Sequence, residues 1–176
     1  MTARFGAGIA LLFLMALPAA AQNDISGAAG GFLGVYGSFH PSDGIPDSAG
    51  RIRLAPYLSP GLNKLIADGA AAEARFAALV KNSPPLIEGD LFSSLFEGAS
   101  SWKLSACTAS GATGRCPVTF THTEAGRPAV TWTDTLLLVN TPQGWRVDDI
   151  AYGGGFQFGN TGKLTDTLRT VLRAAP

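Results

Sequence analysis

The stretch Val130–Tyr152, VTWTDTLLLVNTPQGWRVDDIAY, constrains this chain more than any other. It reads as two antiparallel β-strands joined by the loop Asn140–Gly144, where proline and glycine interrupt two runs of β-forming residues. Val130, Trp132, Asp134, Leu136 and Leu138 share one strand face, and Thr131, Thr133, Thr135, Leu137 and Val139 share the other. The first face is core, with a carboxylate set into it. On the return strand Trp145, Val147, Ile150 and Tyr152 do not keep a strict period of two, which predicts a β-bulge near Asp148–Asp149.

A second long-range constraint comes from the cysteines. Cys107 and Cys116 enclose TASGATGR, a glycine-rich turn segment. Two cysteines flanking a hairpin turn can face each other across an antiparallel ladder at a separation that suits a disulfide. In the chain-entropy model so short a loop contributes roughly 2.5 kcal/mol. A metal or redox pair would need C-x-x-C spacing or a nearby histidine, and neither is present.

A disulfide requires an oxidising compartment, and the N-terminus supplies a route to one. Met1–Ala21 has a basic start at Arg4, an apolar run from Ala7 to Leu17, then Pro18 and a small-residue end, the pattern of a bacterial secretory signal peptide. Its apolar run is about eleven residues, too short to span a bilayer of ~30 Å. Cleavage after Ala21 would leave residues 22–176 as a single domain in the periplasm or outside the cell, with no stable membrane insertion. The whole chain has 13 basic and 13 acidic residues, so it lacks the concentrated positive field that a nucleic-acid partner requires.

Upstream of the strands the pattern is helical. Ile25, Ala28, Ala29, Phe32, Val35, Tyr36 and Phe39 predict a helix over residues 23–40, weakened by its glycines. Ser59-Pro60 is a start signal for a second helix that ends near Lys81, with Gly69 as a possible break. Asp90–Gly98 reads as a short helical turn capped by Asp90 and stopped by Gly98. Residues 101–109 and 116–123 are strands, and Leu164, Leu168, Val171 and Leu172 predict a short C-terminal helix. Helices first and strands afterwards give an α+β fold, with N-terminal helices on one face of a three- to four-stranded antiparallel sheet.

LSPGLNKLI, IEGDLFSSLFEG, TWTD and GWRVDDIAYG, followed by GKL and a final helix, resemble a bacterial family of small secreted proteins and lipoproteins, domain of unknown function 3828. The resemblance covers about residues 24–174. That family looks like a branch of the nuclear-transport-factor-2-like superfamily, which implies a curved sheet and covering helices that form a cone with a pocket. The chain departs from the lipoprotein members in lacking a lipid-bearing cysteine near residue 21. The family has no assigned catalytic residues, so none is carried over.

The candidate site residues are Asp134, Glu97, Trp132, Tyr152, Phe156 and Phe158. An unpaired carboxylate on a dry apolar face is costly, so Asp134 must meet a partner, water or a pocket. Glu97 falls in the last turn of the predicted short helix, where the dipole disfavours an anion. Phe156 and Phe158 lie in the glycine-rich segment 152–162, expected to be mobile; two residues apart in an extended loop, they point the same way. His40 and His122 have no third ligand at zinc spacing, and the glycines at 153–162 match neither the dinucleotide nor the Walker pattern. No metal or cofactor is implied.

Two functional classes fit. The first is a non-enzymatic envelope protein that binds a small apolar ligand, a peptide or another envelope protein. An immunity protein against a secreted toxin is a special case of it. The second is a small acid–base enzyme, isomerase- or dehydratase-like, using a pocket carboxylate. Binding is favoured over catalysis, because the carboxylates are scattered and no acid is paired with a base in the sequence.

Overall fold

A computed structural model describes residues 24–39 and 43–174, so the predicted signal peptide and His40 lie outside the described residues. The helices are α1 (Ile25–Tyr36), α2 (Ser48–Leu54), α3 (Pro60–Leu79) and α4 (Leu164–Ala174). Two short strands, β1 (Asp43–Gly44) and β2 (Gly89–Asp90), pair in parallel. The main sheet contains β3 (Ser101–Leu104), β4 (Thr108–Ser110), β5 (Thr113–His122), β6 (Val130–Thr141) and β7 (Gly144–Ala151). Its order is β3-β5-β6-β7, with every pairing antiparallel, and β4 continues along the edge that β3 occupies. The sheet is thus a ladder with an interrupted edge strand, within an α+β fold.

The alternation on β6 holds. Trp132, Asp134, Leu136 and Leu138 are buried, whereas Val130 at the strand end is exposed. Cys116, Val118 and Phe120 from β5 and Val147 and Ile150 from β7 complete the buried face. Against it pack Ala28, Phe32, Leu33 and Tyr36 of α1, Leu62 and Ile66 of α3, and Leu164 and Leu168 of α4. The predicted irregularity is present: Leu137 pairs with Asp149 and Leu138 with Val147, leaving Asp148 as the extra residue of a bulge. The bulge lets both Val147 and Ile150 face the core. It also buries Asp149, which accepts hydrogen bonds from the Thr165 N–H (3.0 Å) and hydroxyl (2.8 Å) at the start of α4.

Cys107 and Cys116 are bonded to each other, just beyond the Thr108–Arg115 pair of the β4–β5 hairpin. Ser59 starts α3 by accepting from the Leu62 N–H at 3.0 Å. Among the described residues no helix is long and apolar enough to cross a membrane.

Four local expectations change. α1 is shorter than residues 23–40: Asp24 caps its start and Gly37 ends it. α3 runs through Gly69 without a break, because its bare Cα lets Ile45 and Leu168 approach. α2 follows a signal that sequence reading passed over, Asp47, which accepts from the Gly50 N–H at 2.7 Å. The short helix at 90–98 does not form. Asp90 does accept a local N–H, from Phe92 at 2.7 Å, but its other oxygen takes the Ser93 hydroxyl at 2.8 Å. Aspartate and serines offer the backbone alternatives to a helix, and distant partners fix those alternatives here.

Candidate functional site

Segment 90–99 is the hub on which the candidate residues converge. Asp134, 1% exposed, accepts four hydrogen bonds. The Ser94 N–H (2.8 Å) and Trp132 indole N–H (3.0 Å) reach one oxygen, and the Gly153 N–H (2.8 Å) and Ser94 hydroxyl reach the other. Among the described residues no cation pairs with it. Four donors, two of them backbone N–H groups from remote segments, fill the acceptor capacity of a carboxylate. Asp134 therefore clamps segment 94 and loop 153 to the sheet, and it lines neither of the cavities described below.

The glycine-rich stretch after β7 is fastened rather than loose. The Tyr152 hydroxyl donates to the Leu91 carbonyl (2.7 Å), and burial, followed by the charges of Asp90, Asp134 and Asp149, pushes that phenol well above its ordinary pKa. The Gly154 N–H donates to the Ser94 hydroxyl (3.0 Å), and the Asn160 N–H to the Ser94 carbonyl (2.9 Å). The Asn160 side-chain amide donates to the carbonyls of Asp90 (2.6 Å) and Ser93 (2.7 Å). Two of its glycines serve close approach. A Cβ on Gly153 would stand 2.2 Å from the Thr133 carbonyl oxygen, and one on Gly159 would stand 2.1 Å from that of Ser94.

Within this loop the two phenylalanines part company, contrary to the expectation for an extended segment. A turn, closed by the Gly159 N–H on the Phe156 carbonyl (3.3 Å), holds Phe156 half-buried and leaves Phe158 79% exposed. Phe156 meets Trp132 edge-on at 5.4 Å, and Trp132 stacks on Phe120 at 5.6 Å. Phe156 and Phe158 form a groove of about 420 Å³ with Phe96 and Glu97. Three sequence candidates, Glu97, Phe156 and Phe158, thus meet at the surface. Trp132, Asp134 and Tyr152 form the support beneath them.

A second concavity was not anticipated. A cavity of about 500 Å³ lies between the end of α1, α2 and segment 90–92, lined by Tyr36, Phe39, Ile45, Pro46, Arg53, Asp90 and Phe92 among others. The Tyr36 hydroxyl donates to Asp90 at 2.5 Å and accepts from the Ala99 N–H at 3.2 Å. Asp90 is 2% exposed, and burial pushes its carboxyl up to about 6, against the opposing pull of hydrogen bonds from Tyr36, Phe92 and Ser93. Burial and the adjacent Asp90 carboxyl raise the Tyr36 phenol, so it stays protonated. The Arg53 guanidinium lies 5.5 Å from the Phe39 ring centre and donates to the Ser38 hydroxyl. Sequence reading assigned Asp90 to a helix cap. It could not pair that residue with Tyr36, 54 positions away.

Chemically, the cavity offers apolar side chains, the Arg53 cation, the Asp47 carboxylate that caps α2, and in Asp90 a carboxyl that exchanges its proton near pH 6. Among the described residues no group of three His, Cys, Asp or Glu could hold a metal ion, and the His122 ring nitrogen is engaged with the Gly98 carbonyl at 2.8 Å. No family model, characterised protein or solved structure matches the chain.

Proposed function

We propose that this protein is an exported, non-enzymatic binding module that holds a small ligand with both apolar and polar groups in the cavity between α1 and α2. The observation that carries this reading is the cavity itself. Its volume of about 500 Å³ falls in the range of small-molecule sites, and its wall sets aromatic and aliphatic side chains beside the charged Asp47, Arg53 and Asp90. Export is supported by the bonded cysteines and by the signal-like pattern of residues 1–21. Membership of the domain-of-unknown-function family in the nuclear-transport-factor-2-like superfamily, proposed on the sequence resemblance, agrees with helices laid on one face of an antiparallel sheet.

Native mass spectrometry of protein taken from its own envelope tests the reading. A retained small molecule is expected, and Ala49→Trp, a bulky group on the cavity wall, should expel it. Protein that carries no ligand when so isolated would overturn the proposal.

One observation favours acid–base catalysis as the second reading: Asp90 sits beside a tyrosine in a cavity wall, with a pKa near working pH. On that reading Asp90→Asn would bind the retained molecule yet leave it chemically unchanged, whereas the wild type would convert it.

A further inference from the structure

The groove formed by Phe96, Glu97, Phe156 and Phe158 lies apart from the cavity and shares no lining residue with it. We propose that it is a protein-docking site whose occupant is an arginine side chain on an exposed segment of a partner protein.

Two independent features carry this. The first is apolar surface that folding leaves outside. Phe158 is 79% and Phe96 37% exposed, and both line one concavity rather than lying scattered over the surface. The walls are also preorganised. The Asn160 N–H on the Ser94 carbonyl ties the loop to the segment that carries Phe96, and Phe156 rests against Trp132, itself bonded to Asp134. A partner side chain therefore loses little affinity to ordering this surface.

The second feature is charge. Glu97 lines the groove and is exposed. The ion pairs among the described residues are Lys64–Asp68, Arg127–Glu124 and Arg169–Asp166, and Glu97 belongs to none of them. A purely apolar occupant would desolvate that carboxylate without compensation, and an acidic one would be repelled. The occupant that satisfies both the rings and the carboxylate is a cation that can lie flat on a ring. Guanidinium does this better than ammonium, because it is planar, weakly hydrated and able to bond a carboxylate through two parallel N–H groups.

The test uses the disulfide-bonded protein and three blocked leucine-flanked pentapeptides that differ only at the centre: arginine, lysine and citrulline, the neutral isostere. In NMR titration the arginine peptide should bind about tenfold more tightly than citrulline, with lysine between them, and shift the amides of residues 95–97 and 156–159. Phe158→Ala should weaken the arginine peptide about tenfold, and Glu97→Gln should abolish the preference over citrulline. Both side chains are exposed, so both variants keep the fold. Equal binding of arginine and citrulline, or an unchanged preference in Glu97→Gln, would overturn the proposal. So would binding to phosphatidylcholine vesicles in place of the peptides, or a dimer that Phe158→Ala dissolves, since either would assign the groove a different occupant. Failure of the cavity to hold a ligand leaves these readouts untouched.

Discussion

Asp134 and Asp90 are both buried carboxylates that form no ion pair among the described residues, both bound to segment 90–94, yet their surroundings differ in kind. Asp134 stands mid-strand on the core face and receives four donors, two of them backbone N–H groups of Ser94 and Gly153. Asp90 stands at the edge of a cavity and receives a phenol, a serine hydroxyl and one backbone N–H. Fixed amides aimed at a carboxylate from two segments make it a rivet. Fewer donors beside a cavity leave burial as the dominant influence, and a group that can gain a proton near pH 6. A buried aspartate becomes a candidate for function through what fails to saturate it, not through burial itself.

The largest expected effect is at the rivet. Asp134→Asn replaces one acceptor oxygen by an amide that faces existing donors, leaving at least one buried N–H unsatisfied and weakening the rest. Urea unfolding should show a loss of about 2–4 kcal/mol. Hydrogen exchange at residues 153–159 should accelerate with it. A variant as stable as the wild type would remove the distinction drawn between the two aspartates.

Next is the pH dependence of Asp90. Its folded pKa, about 6, lies above the ordinary value of 3.8, so the fold prefers the protonated form. Its stabilisation is complete below pH 3.8, declines as pH rises, and is gone once pH has passed about 6. The span corresponds to roughly 3 kcal/mol. Tyr36, which faces it, stays neutral throughout, and the nearby Asp134 raises it. Asp90→Asn cannot ionise, so the stability difference between wild type and variant should shift in the variant's favour by about that amount from pH 4 to pH 7. Parallel pH profiles would sink the assignment.

Asn160 tests whether the two centres are mechanically joined. Its side-chain amide holds the carbonyls of Asp90 and Ser93. Asn160→Ala should cost about 1–3 kcal/mol and speed exchange in both segments. Loss confined to the loop would show that the centres act separately.

The smallest effect sharpens the comparison from the other side. Glu73 on α3 is a half-buried carboxylate whose Oε2 has no hydrogen-bond partner among the described residues, and burial raises its pKa. With no donors to lose, Glu73→Gln should stabilise the protein at pH 7, by only a few tenths of a kcal/mol once solvent screening is counted. A measurable loss there would mean that the donor count is the wrong variable.

Much of this organisation was legible in sequence. The β6 face with its embedded aspartate, the bulge at Asp148, the disulfide hairpin and the Ser59-Pro60 helix start all follow from local rules: side-chain alternation, turn residues and capping chemistry act over a few residues. Those rules also marked Asp134, Glu97, Phe156 and Phe158 as unusual. What they misread were places where a local preference met a distant partner. Asp90 looks like a helix cap, but Tyr36 takes up the aspartate from 54 positions away. Gly153 and Gly159 look like freedom, but the Thr133 and Ser94 carbonyls lie where their side chains would be. Local patterning set most of the elements, the buried face of the sheet and which residues could not rest unpartnered there. Only tertiary structure decided which partner each one met, because hydrogen bonds spanning 40 to 70 residues exist only after the chain has been brought together. For the same reason the cavity beside Asp90 has no signature in any single stretch of sequence.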